Sequence, residues 1–185
     1  MSVALRSFVL CAATVLFSCE DGVTASQVAA RPAANSCAAG ATGPFKVANV
    51  SDGDTISVRI AGGKPTIVRL IGVDAPEIAG PYRNEEPHGV AARDFTRELL
   101  DDRLVFLESD PQQESHDRYG RMLAYVHRAD DCLLVNGKII RQGHAESYRR
   151  FRFRHHSLFA RHEQEARINR RGMWSEPSNR KRRSP

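Results

Sequence analysis

Hydrophobic and polar positions alternate in three early segments of the chain, residues 45–50, 55–60 and 66–73. A period of two is typical of a half-buried β-strand. The second and third segments are separated by "AGGKP", whose two glycines favour a tight hairpin loop. We therefore predict a meander of three strands at the start of the folded part.

The period changes after a polar loop over residues 78–88. Ala91, Phe95 and Leu99 recur at steps of four within residues 89–102. This spacing places the three side chains on one face of a helix. The pattern therefore predicts a helix directly after the third strand.

Two further β-rich runs follow this helix, at residues 103–109 and 121–127. Beyond them we predict a short helix with Asn136 as its N-cap and Gly143 as its C-terminal stop, and a final helix over residues 157–171. Five strands and three helices predict an α+β fold, a closed five-stranded OB-fold barrel that carries its helices at one end.

The first 25 residues are predicted to be a signal peptide and are excluded from the fold. Arg6 precedes the apolar run of residues 7–17, which is too short for a stable membrane anchor but suits a secretory signal. Small residues at positions 23–26 favour cleavage there. The alternative is lipidation of Cys19, which the bulky Phe17 disfavours. Either product is secreted or periplasmic, and only the lipoprotein would be held at a membrane.

The remaining chain is long enough for one domain of ordinary size. We predict a flexible lead-in over residues 26–44, a folded domain over residues 45–175 and a basic, disordered tail over residues 176–185. No internal repeat of solenoid length occurs. The expected state is a monomer, and no stable protein partner is implied.

Charge is segregated along the chain. Residues 1–137 carry 13 Lys and Arg against 18 Asp and Glu, whereas residues 138–185 carry 14 against 4. The acidic part is suited to cations and the basic part to polyanions such as nucleic acid. A solvated basic tail is the alternative reading of the same counts.

The segment "YRRFRFRHH" alternates arginines with aromatic rings. This pairing serves phosphate contact and base stacking together, so the segment is predicted to be a substrate-binding arm that includes Tyr148, Arg149 and Arg150. The alternative is a solvated approach to the last helix, in which Phe151 and Phe153 join the core.

Two aspartates flank a glycine in "SDGDTIS", and this motif alone is typical of a turn. Asp54 begins the second strand and Asp74 ends the third, so their carboxylates converge if the two strands pair. Two hard oxygen donors, with backbone carbonyls and water, suit a calcium site. An EF-hand is excluded, because a loop counted from Asp52 reaches Gly63 at the twelfth position, where a glutamate is needed.

Arg69 is the only charge in an apolar strand, where its guanidinium either snorkels to solvent, pairs with a buried acid in a structural salt bridge, or serves a cavity that opens to solvent. Arg121, at a turn, presents the same choice. Hydrolysis of a phosphodiester needs a base, a cation and donors that stabilise a five-coordinate phosphorus. Glu77 can be the base, and Arg69 and Arg121 can form a bidentate clamp.

Five segments together resemble the staphylococcal nuclease-like (thermonuclease) family of phosphodiesterases. They are "SDGDTI", "VRLIGVDAPE", "DRYGRMLAYV", "VNGKIIRQGHA" and "GMW", in the order and at the spacing of that family. The resemblance implies an OB-fold endonuclease that cleaves DNA and RNA and leaves 3′-phosphates. The loop over residues 78–89 and the aromatic residues after the second helix depart from the family pattern.

The resemblance also implies roles for individual residues. It implies that Ca²⁺ is held by Asp54, Asp74 and the main-chain oxygen of Ala75, with Asp52 close to a metal-bound water. It further implies that Glu77 activates water.

Three more positions take their roles from the same resemblance. It implies that Arg69 and Arg121 bind the phosphate and stabilise the transition state, and that Tyr119 lines the nucleotide pocket. Two other functions remain open. A non-catalytic nucleic-acid-binding OB module would be expected to lack metal or clamp residues, and an envelope protein binding anionic lipid would leave them unexplained.

Cys37 and Cys132 are the two cysteines that remain after cleavage of the signal peptide. An even pair in an oxidising compartment predicts one disulfide, and two free thiols are the alternative. Their spacing fits no zinc pattern, because neither cysteine has a second one close by.

Overall fold

The computed structural model describes residues 37–60, 62–81 and 84–175. The predicted signal peptide with Cys19, residues 26–36 of the lead-in and the tail over residues 176–185 lie outside the described residues. Within the described ranges, the helices are all too short or too polar to cross a bilayer.

Seven strands and three helices make up the described chain. In order they are β1 (Thr42–Asp52), β2 (Thr55–Arg59), β3 (Thr66–Leu70), β4 (Val73–Asp74), α1 (Gly89–Leu100), β5 (Leu104–Glu108), β6 (Met122–Arg128), α2 (Val135–Arg141), β7 (Glu146–Ser147) and α3 (His156–Ile168). A 3-10 turn at Gly172–Trp174 follows.

Five of these strands close into a barrel in the order β1, β2, β3, β6, β5. Among the described strands, β3 and β6 are the only parallel pair. β4 and β7 form a separate two-stranded sheet. The predicted α+β fold, a five-stranded barrel with three helices, is confirmed.

The alternation of side chains along the strands fills the barrel. In β3, Val68 and Leu70 are buried, whereas Ile67, directly before Val68, is half exposed, as the period of two requires. α2 covers the barrel with Ile139 and Ile140, which are both fully buried. The core therefore lies inside the barrel and continues beneath α2.

Asn136 is not the N-cap of α2, so that prediction was wrong. The cap residue is Leu134, and Asn136 lies within the first turn of the helix, completely buried. Its Oδ1 accepts the Val126 N–H (2.8 Å), and its Nδ2 donates to the carbonyls of Ile71 (2.9 Å) and Ala124 (3.3 Å). The amide therefore ties α2 to β6 and to the segment that follows β3.

Gly143 ends the turn after α2, as predicted, in the left-handed conformation with φ +77°. A Cβ at this position would lie 2.2 Å from the Arg171 carbonyl oxygen, so the close approach also requires glycine. Several predicted boundaries differ by a few residues from those observed. β1 begins at Thr42, three residues before the predicted start of the domain, and α3 ends at Ile168 rather than at residue 171.

A disulfide joins Cys37 to Cys132, whose Cα atoms are 5.1 Å apart across a sequence separation of 95 residues. We expect the double variant Cys37→Ser/Cys132→Ser to lose about 2–4 kcal/mol of unfolding free energy, because the cross-link restricts the unfolded chain. Urea denaturation measures the loss. Alkylation of the native protein, followed by mass measurement, should label neither cysteine, and two labelled thiols would contradict the pairing.

Candidate active site

The turn between β1 and β2 carries a buried carboxylate, that of Asp54. Its Oδ2 lies 2.8 Å from Nη2 of Arg69 and accepts the Ala75 N–H (3.2 Å), and its Oδ1 accepts the Thr55 hydroxyl (2.9 Å). Burial raises the pKa of Asp54, although the Arg69 charge and these hydrogen bonds oppose the rise. The loss of hydration of this carboxylate is only partly offset by its partners, so a further positive charge beside it would stabilise the ionised form.

Strand register explains why residues so far apart in sequence meet here. β2 pairs with β3 so that Thr55 lies opposite Arg69, and the Leu70 N–H donates to the Asp54 carbonyl (2.9 Å). The chain then turns into β4, which ends at Asp74, directly before the Ala75 amide that contacts Asp54. The main chain beside Asp74 therefore contacts Asp54, but Asp74 ends β4, which pairs with β7, and not the third barrel strand as predicted.

Glu77 lies close enough to Asp54 for its charge to contribute to the raised pKa of Asp54. Glu86 forms hydrogen bonds with both the N–H and the carbonyl group of Glu77. The Glu86 Oε2 accepts the Glu77 N–H (3.1 Å), and the Glu86 N–H donates to the Glu77 carbonyl (2.9 Å). The loop between β4 and α1 therefore holds Glu77 beside the turn that carries Asp54.

The inner face of α1 supports both of these segments. The Thr96 hydroxyl donates to the Gly53 carbonyl (2.8 Å), and a Cβ on Gly53 would lie 2.9 Å from the Cβ of Ala92. A Cβ on Gly89 would lie 2.3 Å from the Glu77 carbonyl oxygen. These contacts were not predicted, although a glycine at the start of a helix is a usable signal because it lowers helix propensity.

Arg69 combines two of the three roles that the sequence left open, a salt bridge to a buried acid and a position at a cavity. Its Nη1 donates to the Val73 carbonyl (2.8 Å) and the Leu70 carbonyl (3.2 Å), while its Nη2 pairs with Asp54. Its side chain is 17% exposed and lines an open cleft. The guanidinium is therefore held in a fixed plane and still faces solvent.

Arg121 is oriented by Asp117, a residue that sequence reasoning missed. The Arg121 Nε donates to Asp117 Oδ2 (2.7 Å), and Asp117 Oδ1 accepts the N–H groups of Arg121 (3.0 Å) and Tyr119 (2.9 Å). Burial by itself raises the pKa of Asp117, but these hydrogen bonds lower it overall. An acid four residues before the arginine was the available signal.

The cleft has a volume of about 640 Å³. Its predicted lining residues are Arg69, Tyr119, Arg121, Tyr148 and Arg150, together with Phe151 of the predicted arm, and its lining also includes Gln113, His116 and Arg118, which were not predicted. Arg149 does not line the cleft, because its Nη2 lies 3.0 Å from Oε1 of the buried Glu163. The structure thus brings both clamp arginines and all but one of the predicted substrate residues together.

A metal site at this edge would rest on few carboxylates. Within residues 37–60, 62–81 and 84–175, no three His, Cys, Asp or Glu side chains form a metal-binding cluster. Asp52 is buried in the same turn and accepts the Gly53 N–H (2.8 Å), whereas Ala75 contacts Asp54 through its amide. The carboxylate oxygens of these aspartates are hard donors, and Arg69 neutralises the charge of Asp54 only in part. This combination fits Ca²⁺, with water completing the coordination.

Comparison with known proteins identifies the family. The model for the family described as "Staphylococcal nuclease homologue" matches residues 67–176. The thermonuclease of Staphylococcus hyicus is 36% identical over 132 residues, 71% of this chain and 75% of the relative. The thermonuclease of Staphylococcus intermedius is 42% identical over 103 residues, 56% of this chain and 58% of the relative.

Endonuclease YncB of Bacillus subtilis is 38% identical over 91 residues, 49% of this chain and 39% of that protein. The family match covers more than half of the chain and includes Arg69, Asp74, Glu77 and Arg121, while Asp54 precedes it. The chain therefore belongs to the staphylococcal nuclease homologues, and it is a nuclease.

Proposed function

We propose that this nuclease is an exported, calcium-dependent endonuclease that hydrolyses phosphodiester bonds of DNA and RNA and leaves 3′-phosphate ends. The observation that carries the proposal is the convergence of Arg69 and Arg121 on one cleft beside the buried Asp54. The relatives named thermonuclease and endonuclease support the same activity. Cleavage of RNA and the position of the product phosphate rest on the family resemblance.

The residues of the chain divide the reaction between them. Glu77 takes a proton from the attacking water, whose oxygen bonds to phosphorus as the bond between phosphorus and the 5′-oxygen breaks. The 5′-oxygen leaves as a hydroxyl with a proton from solvent, and the 3′-oxygen keeps the phosphate. Arg69 and Arg121 donate to the nonbridging oxygens, whose charge grows as phosphorus becomes five-coordinate. Asp117 keeps the Arg121 guanidinium directed at the cleft.

Asp54 and Asp74 would hold Ca²⁺, together with the main-chain oxygen of Ala75, and Asp52 would orient a water at the ion. When bound, the ion neutralises negative charge on the phosphate oxygens. The buried Asp54, whose desolvation Arg69 offsets only in part, supports this assignment.

Export is supported by the N-terminal sequence and by the disulfide, which is typical of an oxidising compartment. Release as a soluble protein and lipidation at Cys19 predict different mature N-termini. Mass measurement of the mature protein distinguishes them, because a modified Cys19 and a new terminus at residue 26 exclude one another.

Purified protein should nick and degrade plasmid DNA and RNA in the presence of calcium, and a chelator should abolish both activities. Magnesium should restore little activity, because it requires a tighter octahedral site than calcium. Gel electrophoresis follows the cleavage, and susceptibility of the products to a 3′-phosphatase reports the end group. Cleavage that resists the chelator would overturn calcium dependence, and binding without any cleavage would identify a non-catalytic module.

A further inference from the structure

The peptide group between Gly53 and Asp54 determines where the Asp54 side chain starts. A peptide group is planar, so a fixed direction of the Gly53 carbonyl also fixes the nitrogen and the Cα of Asp54. The main chain on the other side of Asp54 is held by β3, because the Asp54 carbonyl accepts the Leu70 N–H (2.9 Å). The position of the carboxylate therefore depends on what holds the Gly53 carbonyl.

Glycine is required at position 53 by the close approach of two other segments. A Cβ on Gly53 would lie 2.7 Å from the Cβ of Ala75 and 2.9 Å from the Cβ of Ala92. The lack of a Cβ also gives the main chain more conformational freedom at this residue than any other amino acid would. The peptide group that follows Gly53 can therefore rotate easily unless another part of the protein holds it.

Thr96 in α1 holds this peptide group. Its hydroxyl donates to the Gly53 carbonyl at 2.8 Å, and the residue is completely buried. A threonine in a helix commonly directs its hydroxyl to a carbonyl one turn earlier in the same helix. Threonine is also one of the poorer helix-forming residues. The contact with the turn, rather than helix propensity, therefore accounts for a threonine at this position.

The helix that carries Thr96 also supports the candidate base. Gly89 is the first residue of α1, and a Cβ there would lie 2.3 Å from the Glu77 carbonyl oxygen. Gly89 and Thr96 are separated by about 10 Å along the helix axis, at 1.5 Å per residue. α1 is therefore a rigid spacer between the loop that carries Glu77 and the turn that carries Asp54.

We propose that Thr96 is a positioning residue of the nuclease, which sets the Asp54 carboxylate for Ca²⁺ through the Gly53 peptide group. The inference rests on the proposed function, in which Asp54 is a metal ligand. Without the hydroxyl, the buried Gly53 carbonyl loses its donor, and the peptide group rotates to recover a hydrogen bond. The carboxylate then moves from the position in which Arg69 and the Ala75 N–H hold it.

Thr96→Val and Thr96→Ser separate the hydroxyl from the packing of the side chain. Valine keeps the branched Cβ but cannot donate to Gly53. We expect Thr96→Val to bind calcium about three- to ten-fold more weakly, the factor that corresponds to one net hydrogen bond. Thr96→Ser keeps the donor and loses a buried methyl group, so it should melt at a lower temperature and bind calcium as the wild type does. Calorimetric titration of the full-length protein measures both affinities.

A second readout needs no metal. The Ala75 N–H donates to Oδ2 of Asp54 at 3.2 Å, so its hydrogen exchange reports the position of the carboxylate in the apoprotein. This amide should exchange faster in Thr96→Val and at the wild-type rate in Thr96→Ser. The Val126 N–H, which donates to the buried Asn136, is the internal reference for global stability. The increase at Ala75 should exceed any increase at Val126.

Tyr125→Phe is the matched control for lost stability. It also removes one buried hydroxyl from its partner, Oδ2 of Asp110 at 2.6 Å, and neither residue belongs to the turn or to α1. The control should melt at a lower temperature and keep the calcium affinity of the wild type.

Three results would overturn the positioning role. They are an unchanged calcium affinity in Thr96→Val, an equal loss in Tyr125→Phe, and a weakened affinity in Thr96→Ser, which keeps the donor. A wild-type protein that binds no calcium would contradict the proposed function instead. In that case the exchange of the Ala75 amide still decides whether Thr96 holds the Asp54 carboxylate in place.

Discussion

Glu77→Gln should lower kcat by about 10² to 10⁴ and leave calcium affinity nearly unchanged, because general-base catalysis is typically worth that factor. Glutamine keeps the size of the side chain but cannot accept the proton of the attacking water. The main-chain hydrogen bonds to Glu86 remain, so the loop should keep its position. Single-turnover cleavage beside calorimetric titration of calcium measures the two quantities separately.

Asp54→Ala should give the opposite result in the same experiment. Calcium binding should weaken, and residual activity should require more calcium, because one hard oxygen and one negative charge are lost. Asp54 also pairs with Arg69, so the melting temperature of the variant has to be recorded with its activity. Equal losses of calcium affinity in the two variants, or undiminished cleavage in both, would contradict the assigned roles.

Arg69→Lys should lower kcat/KM by about 10² to 10³, the effect of losing a preorganised donor to the developing charge. The planar guanidinium donates at once to the Val73 carbonyl and to Asp54, and lysine presents only a point charge on a flexible stem. Steady-state kinetics on a single-stranded substrate measures the loss. The variant should also melt at a lower temperature, because the main-chain carbonyls lose their donor.

Two lysine variants serve as controls for Arg69→Lys. Arg121→Lys should lose a comparable factor in rate with little change in melting temperature, because within the described residues its side chain hydrogen-bonds only to Asp117. Arg161→Lys, on the exposed face of α3, should behave as the wild type. A wild-type rate for Arg69→Lys would show that its guanidinium geometry is not used on the phosphate.

The barrel was predictable because the period of side chains in a strand is fixed by backbone geometry. The alternation in β2 and β3 and the glycines between them were enough to specify the hairpin. The error at Asn136 has a physical origin. An asparagine near a helix start is favoured as a cap, but its amide can equally bond to distant backbone, and here the partners are Ile71, Ala124 and Val126.

The candidate site was predictable where a residue broke a local rule. Arg69 is a charge in an apolar strand, and its pairing with Asp54 follows from strand register. Arg149 broke no local rule, and its partner Glu163 lies 14 residues further on, in α3. The hydrogen bond between Thr96 and Gly53 depends on how α1 packs against the barrel. Such contacts produce no periodic pattern in the sequence and could not be predicted from it.

The closure of the barrel also decides at which stage of folding the active site is complete. Arg69 lies in β3 and Arg121 immediately before β6, and these strands meet only through their long-range parallel pairing. Local hairpins form before such pairings, so we expect the hairpin of β2 and β3, with Asp54 directly before it, to fold first. A truncated chain that ends before Asn136 lacks the helix that fastens β6. We therefore expect it to carry Asp54 and Arg69 without an assembled clamp and to show no nuclease activity.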